Sequence, residues 1–410
     1  MENNILNGEN SENLNHGNSS FFDEKVSSSN SNEGYPKLRF KDPTSCWKND
    51  KLGSSCNVMM CKRIFAHQTQ SNGEIPFYKI GTIGSNPDAY ISKELFEEYK
   101  EKYNYPRINE VMITCAGTVG RCWQFDGTPS YYQDSNIVWI DNPQEVITNN
   151  FIYRLLERTD WSKLNSTTIT RIYNDNLREL NCCYPNKSEQ NKITDFLLLI
   201  DKRIEKQRLL IKNLKKYKRG LLSAIFERKI QFSNNEIWLE KKLKEVCNGF
   251  DNQRKPISAE LREKGLIPYY GANGIQDYVK DYIFDGEYVL LAEDGGHFDE
   301  FSTMPIAQFI NGKAWVNNHA HILQGKDTYN TKFIYYALVH KDIRKYINGT
   351  SRAKLNQEDM WDIKIIVPSF KLQIEIVEYF SKLDENIKAQ ENCLKNLEYL
   401  KKGFLQQMFI

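Results

Sequence analysis

Few groupings in this 410-residue chain carry side chains able to make or break a bond. Pro87-Asp88 followed by Glu98-Tyr99-Lys100 mimics the PD…ExK set of a metal-dependent nuclease. That chemistry needs its acid and lysine on adjacent strand positions, whereas SKELFEEYKEKY reads as an exposed, charged helix. Glu293, Asp294 and His297 combine acid and base types, but carboxylates beside Gly295 and Gly296 are turn formers first. His319 and His321 alternate as strand residues do and would share a face, with no convincing third metal ligand near them. The chain holds no GxxxxGKS or GxxxxGKT phosphate loop and no NPPF, NPPY, DPPF or DPPY tetrapeptide, so no ATP motor or adenine methyl transfer of those kinds.

Recognition chemistry is better supplied. Reading base edges takes amides, hydroxyls and guanidinium groups, and holding phosphates takes cations and backbone N–H groups. Gly117, Thr118, Val119, Gly120 and Arg121 form a tight turn that brings amides towards a phosphate beside Arg121, or a plain hairpin turn. Tyr131, Gln133 and Asn136 make one polar cluster before the apolar run IVWI, and Thr168, Thr170 and Arg171 make another. In the second half of the chain the candidates are Asn317, Asn318 and His319, then Ser351, Arg352 and Lys354, with Asn273 and Gln276 as a further loop pair.

The elements behind these residues occur twice. WKNDKLGSSCN from Trp47 matches WLEKKLKEVCN from Trp238, GEIPFY from Gly73 matches GLIPYY from Gly265, and NFIY at Asn150 meets KFIY at Lys332. Pro185–Phe226 then aligns without a gap on Pro368–Phe409 with thirteen identities, where about two or three are expected by chance. Gln190/Gln373, Asp201/Asp384, Gln207/Gln390 and Lys218/Lys401 are among them. Same-order matches along a whole half-chain mark a tandem duplication. Each copy is a mixed region of short β-branched and aromatic runs followed by one long helix.

Those helices carry a coiled-coil period. Ile193, Leu197, Ile200, Ile204, Gln207, Ile211, Leu214, Lys218 and Leu221 step by four and three, as do Ile376, Phe380, Leu383, Ile387, Gln390, Leu394, Leu397, Lys401 and Phe404. Asn186 with Glu189 offers a capping box, and Ser369 takes the same place in the second copy. Gln207 and Gln390 interrupt the two seams at their centres and would set the register of the pair. Parallel pairing would align them too, but topology favours antiparallel helices. The seam is about 43 Å long at 1.5 Å per residue, a little over one turn of DNA. Such a ruler would let two readers meet one face of a duplex; a helical hairpin that merely dimerises is the alternative. Lys and Arg outnumber acids from Ile200 to Gln231, which makes a solvated helix face or a track for phosphates or an acidic partner.

Bulk properties bound the rest. Net charge is only +2, so any basic surface is local. Nine cysteines, an odd number without a CxxC pair, fit reduced thiols better than disulfides or zinc. No window approaches the ~20 apolar residues of a membrane span, and no secretory h-region is present, so a soluble, cytoplasmic protein is expected. Residues 1–34, rich in Asn and Ser, read as a disordered leader.

Layout and phrasing together resemble the specificity subunits of type I restriction-modification enzymes. The phrases are VMITCAGTVGR (Val111 to Arg121), AWVNNHAHIL (Ala314 to Leu323), YPNKSEQNKI (Tyr184 to Ile193) and VPSFKLQIEI (Val367 to Ile376). The resemblance implies an α+β chain with two α/β target recognition domains, at residues 35–184 and 238–367. They are separated by conserved helices, at residues 185–230 and 368–410, that pair as an antiparallel coiled coil. It implies a non-catalytic subunit that reads a bipartite site in double-stranded DNA and docks two methyltransferase subunits and restriction/translocase subunits. S-adenosylmethionine, ATP and Mg would sit on those partners, with no cofactor or metal on this chain. LLAEDGGHF (Leu290 to Phe298) departs from the glycine phrase of the first half, which puts identical use of that loop in doubt. A stand-alone metal-dependent nuclease and a coiled-coil adaptor without a DNA role are the competing readings.

Overall fold

The computed structural model describes residues 36–40, 46–164, 171–230, 236–349 and 353–410. The leader at 1–34 lies outside them. The chain divides into two compact units, one formed by the described residues up to Glu205 with Lys395–Ile410, the other by Lys206–Leu394. The architecture is α+β, with mixed sheets and two long helices, Lys187–Phe226 and Phe370–Gln407. Among the described residues no helix is long and apolar enough to cross a membrane.

The repeat seen in the sequence is a repeat of backbone pairing. Lys48–Lys51 runs antiparallel to Asn181–Tyr184, and Leu239–Lys242 runs antiparallel to Lys364–Val367. Leu52 and Leu243 follow at matching places, both fully buried, with N–H groups donating to the carbonyls of Leu180 and Ile363 at 2.9 Å. Tyr78 and Tyr270 lie at the ends of the strands Ile75–Tyr78 and Lys264–Gly271, last and last but one, where these run parallel to Tyr131–Tyr132 and to Trp315–Val316.

The units differ in how the sheet continues. In the second unit Ala307–Val316 is one strand, and it joins all the main pairings into a six-stranded sheet. In the first unit the corresponding stretch breaks at Phe125–Ser130 between Cys122–Gln124 and Tyr131–Tyr132, which leaves separate four- and three-stranded sheets. Gly127, at φ 88°, sits inside that break, in a conformation other residues adopt only at a cost.

Gln190 and Gln373 explain the Pro-x4-Gln phrase shared by the copies. Each is buried and folds its amide back to the proline carbonyl, Pro185 at 2.9 Å and Pro368 at 3.1 Å. Each carbonyl oxygen then accepts the backbone N–H of another helix's N-cap residue, Thr148 at 2.7 Å and Asn330 at 2.9 Å. One side chain thus aligns the long helix with the NFIY or KFIY helix of its own unit. Asn186 caps as expected, accepting from the Glu189 N–H at 3.0 Å. The Glu189 carboxylate forms a buried, two-bonded pair with Arg39.

The long helices pack antiparallel within each unit. In the first, Phe196 meets Phe404 edge-on at 5.0 Å and Asp201 binds Lys401 at 2.7 Å. In the second, Asp384 binds Lys218, and Gln207 Nε2 donates to Gln390 Oε1 at 2.8 Å and to its backbone carbonyl at 3.0 Å. The pairing is reciprocal: the aspartate of each copy takes the lysine of the other. Arg154 completes the first cluster at 2.6 Å and the Tyr336 hydroxyl the second at 2.7 Å. Parallel helices would not bring these partners together, which decides the direction that the glutamines alone left open.

Candidate nucleic-acid interface

In the first unit the candidate loops converge on Cys115. Its N–H donates to the Asn136 carbonyl at 2.8 Å and its carbonyl accepts the Ile172 N–H at 2.9 Å. The end of strand Val111–Thr114, the loop at 133–136 and the segment beginning at Arg171 therefore meet there. Gln133 N–H donates to Tyr78 O at 2.9 Å, which adds the loop at 79–84. Arg171 donates to Ser135 O at 3.3 Å and lies over the Tyr173 ring.

The glycine phrase is a hairpin turn. Gly117 and Gly120, with φ of 65° and 82°, return the chain so that Gly120 N–H reaches Thr114 O at 2.9 Å. Trp161 packs so closely that a Cβ on Gly120 would lie 2.2 Å from its ring. Thr118 and Arg121 stand exposed on this turn. The Arg121 guanidinium lies 3.0 Å from where a Gly84 Cβ would sit, and it forms no ion pair among the described residues.

Tyr131 is corrected by its burial. It is 0 % exposed in the core with Phe96 and Trp139, so it supports the cluster from below and does not touch a ligand. Its place in the polar cluster before IVWI is overridden by strand pairing with Phe77, where the ring is buried.

The second unit repeats this plan. Asn317 N–H donates to Tyr270 O at 3.0 Å, as Gln133 does to Tyr78. Leu355 N–H donates to Glu293 O at 2.7 Å, as Ile172 does to Cys115. Gln133 matches Asn317, Ser135 matches His319, and Arg171 matches Lys354. The structure brings Asn273, Gln276 and His319 around a cleft of about 480 Å³, together with Asp294 and Gly295. Asn318 is exposed beside it. Asn317 is a second correction, since it is 3 % exposed and reaches the cleft only through its bond to Gln276 Oε1 at 3.2 Å. Thr168, Thr170, Ser351 and Arg352 lie outside the described residues.

Beneath the cleft is a charged network that sequence reading missed. His321 is 1 % exposed, with Nδ1 2.6 Å from Asp251 Oδ2 and Nε2 2.9 Å from the Leu355 carbonyl. The ring is thus held between a carboxylate and a backbone carbonyl. Asp251, Glu293 and His321 lie close enough to ligate a metal. Arg254 already supplies a cation there, 2.5 Å from Glu293 and 3.5 Å from Asp251, and Lys354 binds Glu293 at 3.1 Å. Burial opposes ionisation of Asp251, but the His321 bond, the Ile322 N–H and Arg254 outweigh it and hold the carboxyl below its ordinary range. His319 stands apart from this network, its Nδ1 2.5 Å from Asp294. The two histidines of HAH do not form one site.

The nuclease set does not assemble. Glu98 and Lys100 lie on the helix Lys93–Lys102, where Glu98 pairs with Lys102 at 3.0 Å and Lys100 covers the Phe96 and Tyr105 rings. Asp88 pairs with Lys79 at 3.0 Å.

The type I restriction modification DNA specificity domain matches this chain twice, over residues 44–213 and 235–399. The chain belongs to that family. A protein named as a type I restriction enzyme specificity subunit in Haemophilus influenzae is 50% identical over 147 residues, 36% of this chain and 38% of that one. The EcoprrI specificity subunit of Escherichia coli is 24% identical over 147 residues, 34% of this chain and 35% of its own. The matched stretches thus span little more than a third of these relatives. The crystal structure of a type I system S subunit from M. genitalium shares the fold, with TM-score 0.56 and 19% identity over 92% of this chain and 99% of that one. So does a chain from a structure of type I complex assembly and conformational transition, with TM-score 0.55 and 15% identity over 90% and 99% of the two chains. Both family segments contain one cluster of converging loops, so each of the two domains carries its own.

Proposed function

We propose that this chain is the DNA-reading specificity subunit of a type I restriction-modification complex, and that each unit reads one half of a bipartite, asymmetric duplex site. One observation carries the reading: both units gather polar and cationic side chains at matching places, Gln133, Ser135 and Arg171 in one, Asn317, His319 and Lys354 in the other. Such groups in repeated loops supply base-edge and phosphate contacts, with the buried Asn317 acting through Gln276. The naming of the H. influenzae and E. coli relatives as specificity subunits supports the same reading.

In this reading the chain works in the cytoplasm and performs no chemistry itself. Two methyltransferase subunits would dock on it and carry S-adenosylmethionine, and restriction/translocase subunits would bring ATP and Mg. The paired helices would set the unread gap between the half-sites.

Co-expression with a type I methyltransferase subunit from the same genome, followed by methylation mapping, tests the proposal. Adenine methylation at one bipartite motif, absent when this chain is omitted, is the expected result. No new methylation, with no sequence-selective or salt-dependent DNA binding by the complex, would leave only an adaptor.

A further inference from the structure

The cleft of the second unit presents hydrogen-bonding groups whose polarity is dictated by groups behind them. The His319 backbone N–H donates to Asn317 Oδ1 at 2.8 Å. A backbone N–H can only donate, so this bond fixes which end of the buried Asn317 amide is oxygen. Asn317 Nδ2 then donates to Gln276 Oε1 at 3.2 Å, and the NH2 group of Gln276, an exposed side chain lining the cleft, has no acceptor among the described residues. Gly271 leaves that amide its room, since a Cβ there would lie 2.2 Å from Gln276 Nε2.

One acceptor is fixed in the same way. Asn273 Nδ2 donates to the Gly295 carbonyl at 2.8 Å, which turns its Oδ1 away from that bond. Gln276 and Asn273 line one cleft with His319, which therefore offers a donor with an acceptor beside it.

We propose that this cleft reads the major-groove edge of one adenine in the half-site of the second unit, an inference that rests on the DNA-reading function above. Adenine presents an acceptor, N7, beside an amino donor, N6. Guanine presents two acceptors, and its O6 would face an acceptor of the cleft. Cytosine offers the amino group without the neighbouring acceptor, and thymine offers an acceptor and a methyl group. Gln276 meets N7, and Asn273 takes the N6 amino group. Asn317 is a positioning residue, which acts on the base only through Gln276. In the first unit Gln133 and Ser135 stand at the places of Asn317 and His319, so this arrangement belongs to one half-site.

The full chain, assembled with its methyltransferase subunits, is selected against a randomised duplex library as wild type, Gln276→Glu and Asn317→Asp. Gln276→Glu keeps the shape but replaces the donor by an acceptor on an exposed side chain. Asn317→Asp faces Gln276 with an acceptor and reverses its amide. Wild type selects adenine at one position that both variants affect. Each variant lowers the preference for adenine over the other bases there by about tenfold, and every other position, the whole first half-site included, stays as before. Unchanged preferences in Gln276→Glu overturn the cleft assignment while DNA reading stands. Absence of selection by wild type overturns the DNA-reading function and the inference with it. Gln276→Glu decides alone if Asn317→Asp does not fold.

Discussion

Phe409 tests how the first unit is completed. Its ring is 3 % exposed and lies 4.8 Å, centre to centre, from Phe151, in one cluster with Leu405, Met408, Ile152 and Leu155. Phe226 occupies the equivalent place of the repeat, 5.5 Å from Phe333 in the second unit. Residues from the end of each long helix therefore fill a core built mainly by other segments. Phe409→Ala removes a buried ring, at a cost of about 3–5 kcal/mol for Phe to Ala in a packed core. Against a typical domain stability of about 5–15 kcal/mol, that is enough to expose a large share of the first unit's opening events. Hydrogen exchange read by mass spectrometry localises the loss. Peptides from the helix Asn149–Arg158 and the strand Val111–Thr114 should lose protection, while those from Thr331–Leu338 keep it. Phe226→Ala should give the opposite pattern. Equal loss in both units, or a cost below about 1 kcal/mol, would refute the reasoning.

Gln207→Leu alone strands the Gln390 amide against an apolar group and should cost about 1 kcal/mol; the double Leu variant should recover it, both read from urea midpoints. Gln190→Ala leaves the Thr148 N–H and Pro185 carbonyl without their partner and should cost about 1–3 kcal/mol. The second unit should lose stability in acid. Burial holds His340 below its ordinary value, against its bond to the Phe301 carbonyl, and Asp251 is also held low. Both groups bind protons more readily unfolded, so stability is full above about pH 6.5 and falls as pH drops, first through His340 and then below about pH 4 through Asp251. Melting temperature against pH should show both steps, and His340→Gln should remove the upper one. Lengthening both long helices by one heptad, about 10 Å, should widen the unread gap by roughly three base pairs at 3.4 Å each; an unchanged gap would sink the spacer role.

The fold was largely legible because its duplication was written in positions under tight physical constraint. Gln190 and Gln373 recur because an amide of that length joins a proline carbonyl to another helix's N-cap. Asp201, Asp384, Lys218 and Lys401 recur because each aspartate needs the other copy's lysine. Such constraints act between elements far apart in sequence, yet they leave identical residues at equal offsets. The broken sheet of the first unit left no such trace, since FDGTPS at Phe125–Ser130 reads equally as a turn between strands of one sheet.

The site was legible in its clusters and opaque in its roles. Composition places amides and cations near one another, but Tyr131, Gln133, Asn317 and Gln276 look alike as polar loop residues. What separates them is a parallel strand pairing that buries Tyr131, and a carbonyl at Tyr78 or Tyr270 that pins the residue after the strand. The network under the cleft joins Asp251, Arg254, Glu293, His321 and Lys354, which span a hundred residues and follow no spacing rule. Polarity is further removed still. Gln276 and Asn317 can each present either end of an amide, and neither side chain holds the answer. It comes from the backbone N–H of His319, which cannot accept, and is passed through Asn317 to Gln276. The polarity of this cleft is therefore a property of the chain's path, and isosteric exchange of amide for carboxylate is the substitution that tests it.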